Sequence, residues 1–262
     1  MIINTGGRTD TVQYYCNWLL DRFEEGYVLS RNPLFPNKVT RYELTPDKVD
    51  CVIFCSKNYA PILPHIEKIA ARFPIYCHYT ITAYGKDVEP GVPSIEESID
   101  TLLALSKIVG KEKIAWRYDP VLLTEKYTIE LHLETFERMA ARIAGKYGIP
   151  IQTCGTNGDL SRYCIAASGC ITLDMLGKAN RIQFRNLKHK GMWQGCHCIE
   201  SRDIGAYDTC LNGCKYCYAN KSPDKARENY KLHDEASPLL LGQLKNTDIF
   251  QAGAQKSMRA KI

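Results

Sequence analysis

The sequence lacks any long hydrophobic run, and this absence excludes a membrane-spanning helix of roughly 20 apolar residues. The start, Met1–Gly7, has no basic segment followed by an apolar core, so we expect no secretory signal peptide. No long basic block is present and the net charge of +5 is mild, so a nucleic-acid partner is not indicated. Hydrophobic residues make up 45% of the chain, as in ordinary globular proteins. We therefore expect a soluble cytoplasmic protein with no membrane partner.

The sequence also lacks a histidine–carboxylate set with metal-ligand spacing, which argues against a metal-assisted hydrolase. It does contain 12 cysteines. In a chain without an export signal these are expected in a reducing compartment, as metal ligands or catalytic groups rather than disulfides. Cys16, Cys51, Cys55 and Cys77 fall within predicted helices and strands and are expected in the core.

The most informative motif is a cysteine triplet near the end of the chain. Cys210, Cys214 and Cys217 have the spacing C-x3-C-x2-C, and Tyr216 precedes the last cysteine. Structural zinc takes four protein ligands, whereas three thiolates leave one position open. The motif resembles the loop of radical S-adenosylmethionine (SAM) enzymes, where three cysteines hold a [4Fe–4S] cluster and SAM binds the fourth iron. The resemblance implies reductive cleavage of SAM and places Tyr216 near its adenine. Zinc remains the alternative metal.

A second group of cysteines precedes the triplet. Cys196 and Cys198 form a C-x-C pair that can face one metal, Cys154 follows a predicted strand, and Cys170 follows a glycine at a turn. We expect Cys154, Cys170, Cys196 and Cys198 to be the ligands of a second, closed site. Four cysteines suit either a second [4Fe–4S] cluster or structural zinc, and the sequence leaves both open.

Alternation of apolar runs with helical patterns predicts an α/β fold, either a (β/α) barrel or partial barrel or an open parallel sheet. We expect residues 1–155 to form the barrel-like region and residues 156–262 a cysteine-rich segment over its mouth, in one integrated domain. The predicted strands are Met1–Asn4, Cys51–Cys55, Ile75–Thr82, Ile114–Trp116 and Pro150–Thr153, and the predicted helices are Thr11–Glu25, Pro61–Phe73, Ser94–Val109 and Thr128–Tyr147.

Polar side chains recur where the predicted strands end, which is the face where parallel barrels carry their active sites. Some of them could instead be helix caps and buried ion pairs. As candidate catalytic residues, basic groups could hold the SAM carboxylate or an anionic substrate, and acidic groups the ribose hydroxyls or the SAM amine. The basic candidates are Arg8, Lys57 and Arg117; the acidic ones are Asp10, Asp119 and Glu200. The candidates for cofactor binding are Asn58, Tyr84 and Tyr216.

Several segments resemble a bacterial and archaeal family known as domain of unknown function number eighteen forty-eight. The resemblance is carried by Gly7–Asp10, Phe54–Asn58, Arg117–Pro120, Cys198–Tyr207 and Cys210–Asn220, and further by His233-Asp234 and Ser237–Gly242. It covers nearly the whole chain and implies a C-terminal cysteine cluster similar to the radical SAM loop.

In radical SAM enzymes the cluster loop normally follows the first strand of a partial barrel, whereas here it follows at least five predicted strands. We expect an arrangement like a circular permutation, with the late loop folding back over the barrel mouth. The expected partners are an unknown small-molecule or peptide substrate and a reductant such as flavodoxin or ferredoxin. The alternative function is a non-catalytic iron–sulfur electron carrier or zinc-binding scaffold.

Overall fold

The computed structural model describes residues 1–153, 162, 166–167, 169–187 and 196–260. No helix in these ranges is both long and apolar enough to cross a bilayer. The strands are β1 (Ile2–Asn4), β2 (Tyr27–Arg31), β3 (Lys38–Glu43), β4 (Cys51–Ser56), β5 (Ile75–Thr80), β6 (Ile114–Arg117), β7 (Gln152–Thr153), β8 (Ala166–Ala167), β9 (Arg202–Asp203) and β10 (Ile249–Ala252). The α-helices are α1 (Thr11–Tyr14), α2 (Cys16–Glu25), α3 (Ile66–Arg72), α4 (Ile95–Val109), α5 (Ile129–Ala140), α6 (Leu173–Asn180) and α7 (Pro223–Tyr230).

A five-stranded parallel sheet organises the fold. Its strand order is β6-β5-β4-β1-β9, and every neighbouring pair is parallel. A single parallel bridge between Trp116 and Ile151 continues from β6 towards the two-stranded sheet of β7 and β8. The expected mixed α/β class with a parallel sheet is confirmed. Among the described residues, no pairing joins the first strand of this order, β6, to the last, β9. These strands therefore form an open sheet and not a closed barrel.

Both faces of the sheet are buried, because successive side chains of each strand point to opposite sides. Val52 and Phe54 of β4 join the larger apolar core, beneath α2 to α5. Cys51 and Ile53 join a second core, which α6 and Cys196–Ile199 cover. Residues 171–187 and 196–199 therefore pack against the sheet face opposite the helices, and the sheet forms the middle layer.

The helix boundaries follow local signals in the sequence. Ser94 and Glu97 form the expected capping box at the start of α4. Gly26 ends α2 with a left-handed φ of 78°, a conformation that glycine adopts without strain. The predicted helix Thr11–Glu25 is interrupted at Tyr15, whose non-helical backbone separates α1 from α2.

A hairpin that the strand predictions omit follows α2. Strands β2 and β3 pair antiparallel, and β10 joins the outer side of β3 in parallel. The turn of the hairpin contains Pro33 and Pro36, and its strands carry the β-branched and aromatic residues Val28, Val39, Thr40 and Tyr42. These are ordinary hairpin signals. The resulting three-stranded sheet lies outside the strand–helix alternation that the sequence predicted.

Candidate functional site

The cysteine loop, defined as Cys210–Cys217, is attached to the carboxyl ends of the parallel strands through its backbone and Asn212. Gly91 N–H donates to the Asn212 carbonyl at 2.8 Å, and Lys215 N–H donates to the Val88 carbonyl at 3.0 Å. The Asn212 side chain accepts a hydrogen bond from Tyr14 at 3.1 Å. A Cβ on Gly91 would stand 2.8 Å from the Asn212 backbone, so this approach needs a glycine. The loop thereby folds back over residues more than 120 positions earlier in the chain.

The loop and the strand ends enclose a cavity of about 360 Å³, which we call the cysteine cavity. Its volume falls within the range of small-molecule sites. Cys210, Cys214 and Cys217 line it together with Tyr216. Strand-end residues line the same cavity. Those that the sequence named are Arg8, Asp10, Lys57, Arg117 and Asp119.

Burial keeps the thiols of Cys210 and Cys214 in their neutral form. Burial raises the pKa of Cys210 to about 12. Burial also raises the pKa of Cys214 to about 12, and the nearby ammonium group of Lys57 opposes that rise. Metals bind the thiolate, so loading this site displaces protons and gains from the positive charge of Lys57.

Asp10 joins three parts of the site. Its carboxylate caps α1 by accepting from Gln13 N–H at 3.1 Å, and it accepts from Ser56 Oγ at 2.7 Å and from Lys57 N–H at 2.9 Å. Asn212 Nδ2 of the cysteine loop donates to the same carboxylate at 3.4 Å. Burial raises the pKa of Asp10, and these hydrogen bonds oppose that rise. Asp10 is thus a positioning group that connects β1, β4 and the loop.

Glu89 is a central residue that sequence reasoning missed. Its carboxylate is 3% exposed and accepts from Lys57 Nζ at 2.9 Å, from Thr82 Oγ1 at 2.9 Å and from the Tyr216 hydroxyl. Burial, followed by the charge of Glu89, raises the pKa of Tyr216 far above its ordinary value. Glu89 lies in the irregular segment between β5 and α4, where no periodicity marks it. In the sequence it is marked only by its acidic side chain in the segment that follows β5.

The two arginine candidates are each oriented by an acidic neighbour. The Arg117 guanidinium contacts the Asp119 carboxylate at 2.7 Å, and Asp119 raises its pKa despite the opposing effect of burial. Arg8 pairs with Asp203, with 3.2 Å between Nε and Oδ1 and 2.6 Å between Nη2 and the Asp203 carbonyl. Asp203 also accepts from Gly7 N–H at 2.6 Å, so it fixes both Arg8 and the chain before it. Asp203 is a second residue that the sequence did not single out.

Three further candidates do not line the cysteine cavity. The Asn58 side chain accepts from Ala60 N–H at 3.0 Å and shapes the turn after β4. Tyr84 packs its ring 5.6 Å from that of Tyr216 and so supports the cavity wall from behind. Glu200 forms an ion pair with Arg202 at 2.6 Å, half exposed to solvent.

The second cysteine group is described in part. The Sγ atoms of Cys170 and Cys198 lie 3.3 Å apart, and Cys196 is buried in the same apolar core. Cys154 lies outside the described residues. Cys55, expected in the core, lines the cysteine cavity, with its Sγ 3.5 Å from His78 Nδ1.

The side chains that bind a single metal ion stand closer together than those that bind an iron–sulfur cluster. Within the described ranges, no three His, Cys, Asp or Glu side chains stand close enough together to hold a single metal ion. Cysteines that hold a [4Fe–4S] cluster each bind a different iron, so they stand further apart than the ligands of one ion.

Fold and site together define an α/β protein with a parallel sheet and a cysteine-lined cavity at the carboxyl ends of its strands. The chain belongs to the family described as Domain of unknown function (DUF1848), whose model matches residues 2–147 and 140–219. The resemblance noted in the sequence is therefore confirmed. No curated protein and no solved structure matches this chain.

Proposed function

We propose that this protein is a radical SAM-like iron–sulfur enzyme that binds SAM at a [4Fe–4S] cluster held by Cys210, Cys214 and Cys217. The observation that carries the proposal is the shared cavity: three thiols and charged strand-end residues line it together. An electron carrier needs no such polar cleft. A zinc scaffold likewise gives no role to the charged residues that line this cavity.

The donor set fits the cluster. Three cysteine ligands leave one iron of a [4Fe–4S] cube without a protein ligand, and the cavity of about 360 Å³ has space beside the thiols. When bound, such a cluster supplies the electron that cleaves SAM and starts radical chemistry on a substrate. The series of parallel strands supports a partial barrel whose mouth the cysteine loop covers.

The side chains of the chain have separable roles in this proposal. Arg117 offers a guanidinium group whose orientation Asp119 fixes, and such groups pair in two-point fashion with a carboxylate like that of SAM. Lys57 places a positive charge near Cys214, which favours the thiolate form and the anionic cluster. Glu89 holds Lys57 and Tyr216 in place without lining the cavity itself.

The second cysteine group and the external partners complete the proposal. Cys170, Cys196 and Cys198, with Cys154, would hold a second [4Fe–4S] cluster, because the described cysteines are not grouped as the ligands of a single zinc ion are. Cys170 and Cys198 are already neighbours, with 3.3 Å between their sulfurs. A flavodoxin or ferredoxin would deliver the electron, and the substrate would be a small molecule or a peptide.

The test is anaerobic reconstitution with iron and sulfide, followed by incubation with SAM and dithionite. We expect formation of 5′-deoxyadenosine by the native protein and none by Cys214→Ala. Cys16→Ala, which changes a half-buried cysteine outside the cavity, is the matched control and should retain the activity. Native protein that binds iron in the triplet yet forms no 5′-deoxyadenosine would contradict the proposal and favour an electron carrier.

A further inference from the structure

A second cavity, of about 460 Å³, adjoins the cysteine cavity and has a different character. We call it the leucine cavity, because its walls include Leu29 of β2, Leu34 of the hairpin turn and Leu239, Leu240 and Leu241. Its volume is that of a small-molecule site, and a concave apolar lining is the usual character of such sites. Nothing in the proposed cluster chemistry uses it.

Arg8 lines both cavities. The partition between them is built from two short stretches, Gly7–Thr9 and Asp203–Gly205. These stretches are in close contact: a Cβ on Gly7 would stand 2.3 Å from Asp203 Oδ2, and a Cβ on Gly205 would stand 3.0 Å from Thr9 Cγ2. The Arg8 side chain is therefore at the boundary, and a ligand in the leucine cavity can reach it.

More basic than acidic side chains line the leucine cavity. Arg8, Arg31 and Lys221 line it, against one acidic side chain, Asp208. Arg31 is neutralised by Asp248 at 2.8 Å. Arg8 is held by Asp203 through Nε and Nη2, and the other terminal nitrogen donates to no group among the described residues. Lys221 takes part in no ion pair within the same part of the chain. Lys221 thus offers an ammonium group without an ion-pair partner among the described residues, and Arg8, whose charge Asp203 balances, offers one remaining terminal N–H to an anionic ligand.

From this combination we propose that the leucine cavity binds the enzyme's substrate, a small molecule with an apolar body and one anionic group. The leucine side chains would bury the apolar body, and Lys221 and Arg8 would hold the anionic end by charge-assisted hydrogen bonds. The anionic end would then lie at the Arg8 boundary, which faces the cysteine cavity. Its role as the substrate pocket rests on the function proposed above.

Binding of octanoate to the reconstituted protein tests the inference, with octan-1-ol and octylammonium as uncharged and cationic probes of the same length. Anaerobic isothermal titration calorimetry should show octanoate binding more tightly than octan-1-ol, and octylammonium weakest. Lys221→Met should lower the affinity for octanoate about tenfold, as expected for the loss of one charged hydrogen bond, and leave the affinity for octan-1-ol unchanged. Lys225→Met, an exposed lysine on α7 outside the cavity, is the matched control and should bind as the native protein does.

A second variant tests the apolar wall without threatening the fold. Leu34 is 82% exposed, so Leu34→Asp should leave the protein folded while placing a negative charge in the cavity, and octanoate binding should fall below detection. Leu244→Asp, exposed but outside the cavity, is its control. Equal octanoate affinity in native, Lys221→Met and Leu34→Asp proteins would overturn the inference, as would octylammonium binding as tightly as octanoate.

The two proposals fail separately, because the binding readout does not require SAM. Octanoate binding with the expected dependence on Lys221 and Leu34, in a preparation that forms no 5′-deoxyadenosine, would support the apolar-anion site and contradict the radical chemistry. Formation of 5′-deoxyadenosine without octanoate binding would contradict the leucine cavity assignment alone.

Discussion

Cysteines of the parallel sheet and cysteines of the late loop have similar burial and different surroundings. Cys77 of β5 is fully buried within the larger apolar core, and burial raises its pKa to about 12. Cys210 of the loop is also buried with a pKa raised to about 12. Yet Cys210 lines a cavity with Asp10 and Lys57, whereas Cys77 packs against apolar side chains. Burial and thiol pKa therefore do not separate a packing cysteine from a candidate ligand; convergence with charged groups on one cavity does.

The largest expected effect comes from replacing Cys210, Cys214 and Cys217 together by alanine. This variant should lose all iron of the triplet and all SAM cleavage, because no ligand of that cluster remains. Iron at the second cysteine group should persist. Metal content by elemental analysis, with circular dichroism to verify folding, measures the outcome.

The matched control for the triple variant is Cys51→Ala combined with Cys77→Ala. Both residues are fully buried in the sheet, so this variant should lose stability, by about 1 to 2 kcal/mol per site, and retain the iron of the triplet. A folded triple variant without any metal would contradict the two-site arrangement. Iron loss in the sheet variant would remove the distinction between the two kinds of cysteine.

Glu89→Ala is expected to have the next largest effect. Removal of this carboxylate leaves Lys57, 13% exposed, and the Tyr216 hydroxyl without their acceptor. Breaking such a pair by deleting one partner should cost about 3 kcal/mol in the free energy of unfolding. Urea unfolding measures this. Glu97→Ala removes an exposed capping carboxylate and should cost less, about 1 kcal/mol; equal losses would contradict the central role of Glu89.

Residues with local signals were predictable from the sequence, and residues defined by long-range contacts were not. Ser94 and Glu97 mark a helix start by themselves, and the apolar run Ile114–Trp116 marks a strand. The contact between Glu89 and Tyr216 joins residues 127 positions apart in an irregular segment and a loop. No periodicity or spacing encodes that contact, so the sequence predicted Tyr216 without its partner.

The two cysteine groups should differ in their effect on stability. A closed site that joins separate segments converts metal-binding energy into folding energy, so Cys198→Ala should destabilise the metal-loaded protein more than Cys214→Ala does. We expect an additional loss of about 2 kcal/mol for Cys198→Ala. Thermal unfolding of both reconstituted variants measures the difference. An equal or smaller loss for Cys198→Ala would count against a closed second site.

Arg117→Ala should have the smallest effect on the fold and a selective effect on binding. The side chain pairs with Asp119 at the cavity rim, so its removal should retain the cluster and most stability. SAM affinity, measured by equilibrium dialysis, should fall about tenfold, as for one lost charged contact. Arg142→Ala, which breaks surface ion pairs with α4, is the control and should bind SAM normally. Unchanged affinity in Arg117→Ala would remove this residue from the SAM site.

The most direct test of the central claim is the electron paramagnetic resonance spectrum of the reduced protein with and without SAM. To isolate the triplet from the second cysteine group, the same spectra are recorded for Cys214→Ala. We predict that SAM perturbs the signal of the native cluster, because the iron without a cysteine ligand is open to it, and that Cys214→Ala shows no such change. A reduced native cluster whose spectrum is identical with and without SAM would contradict the account.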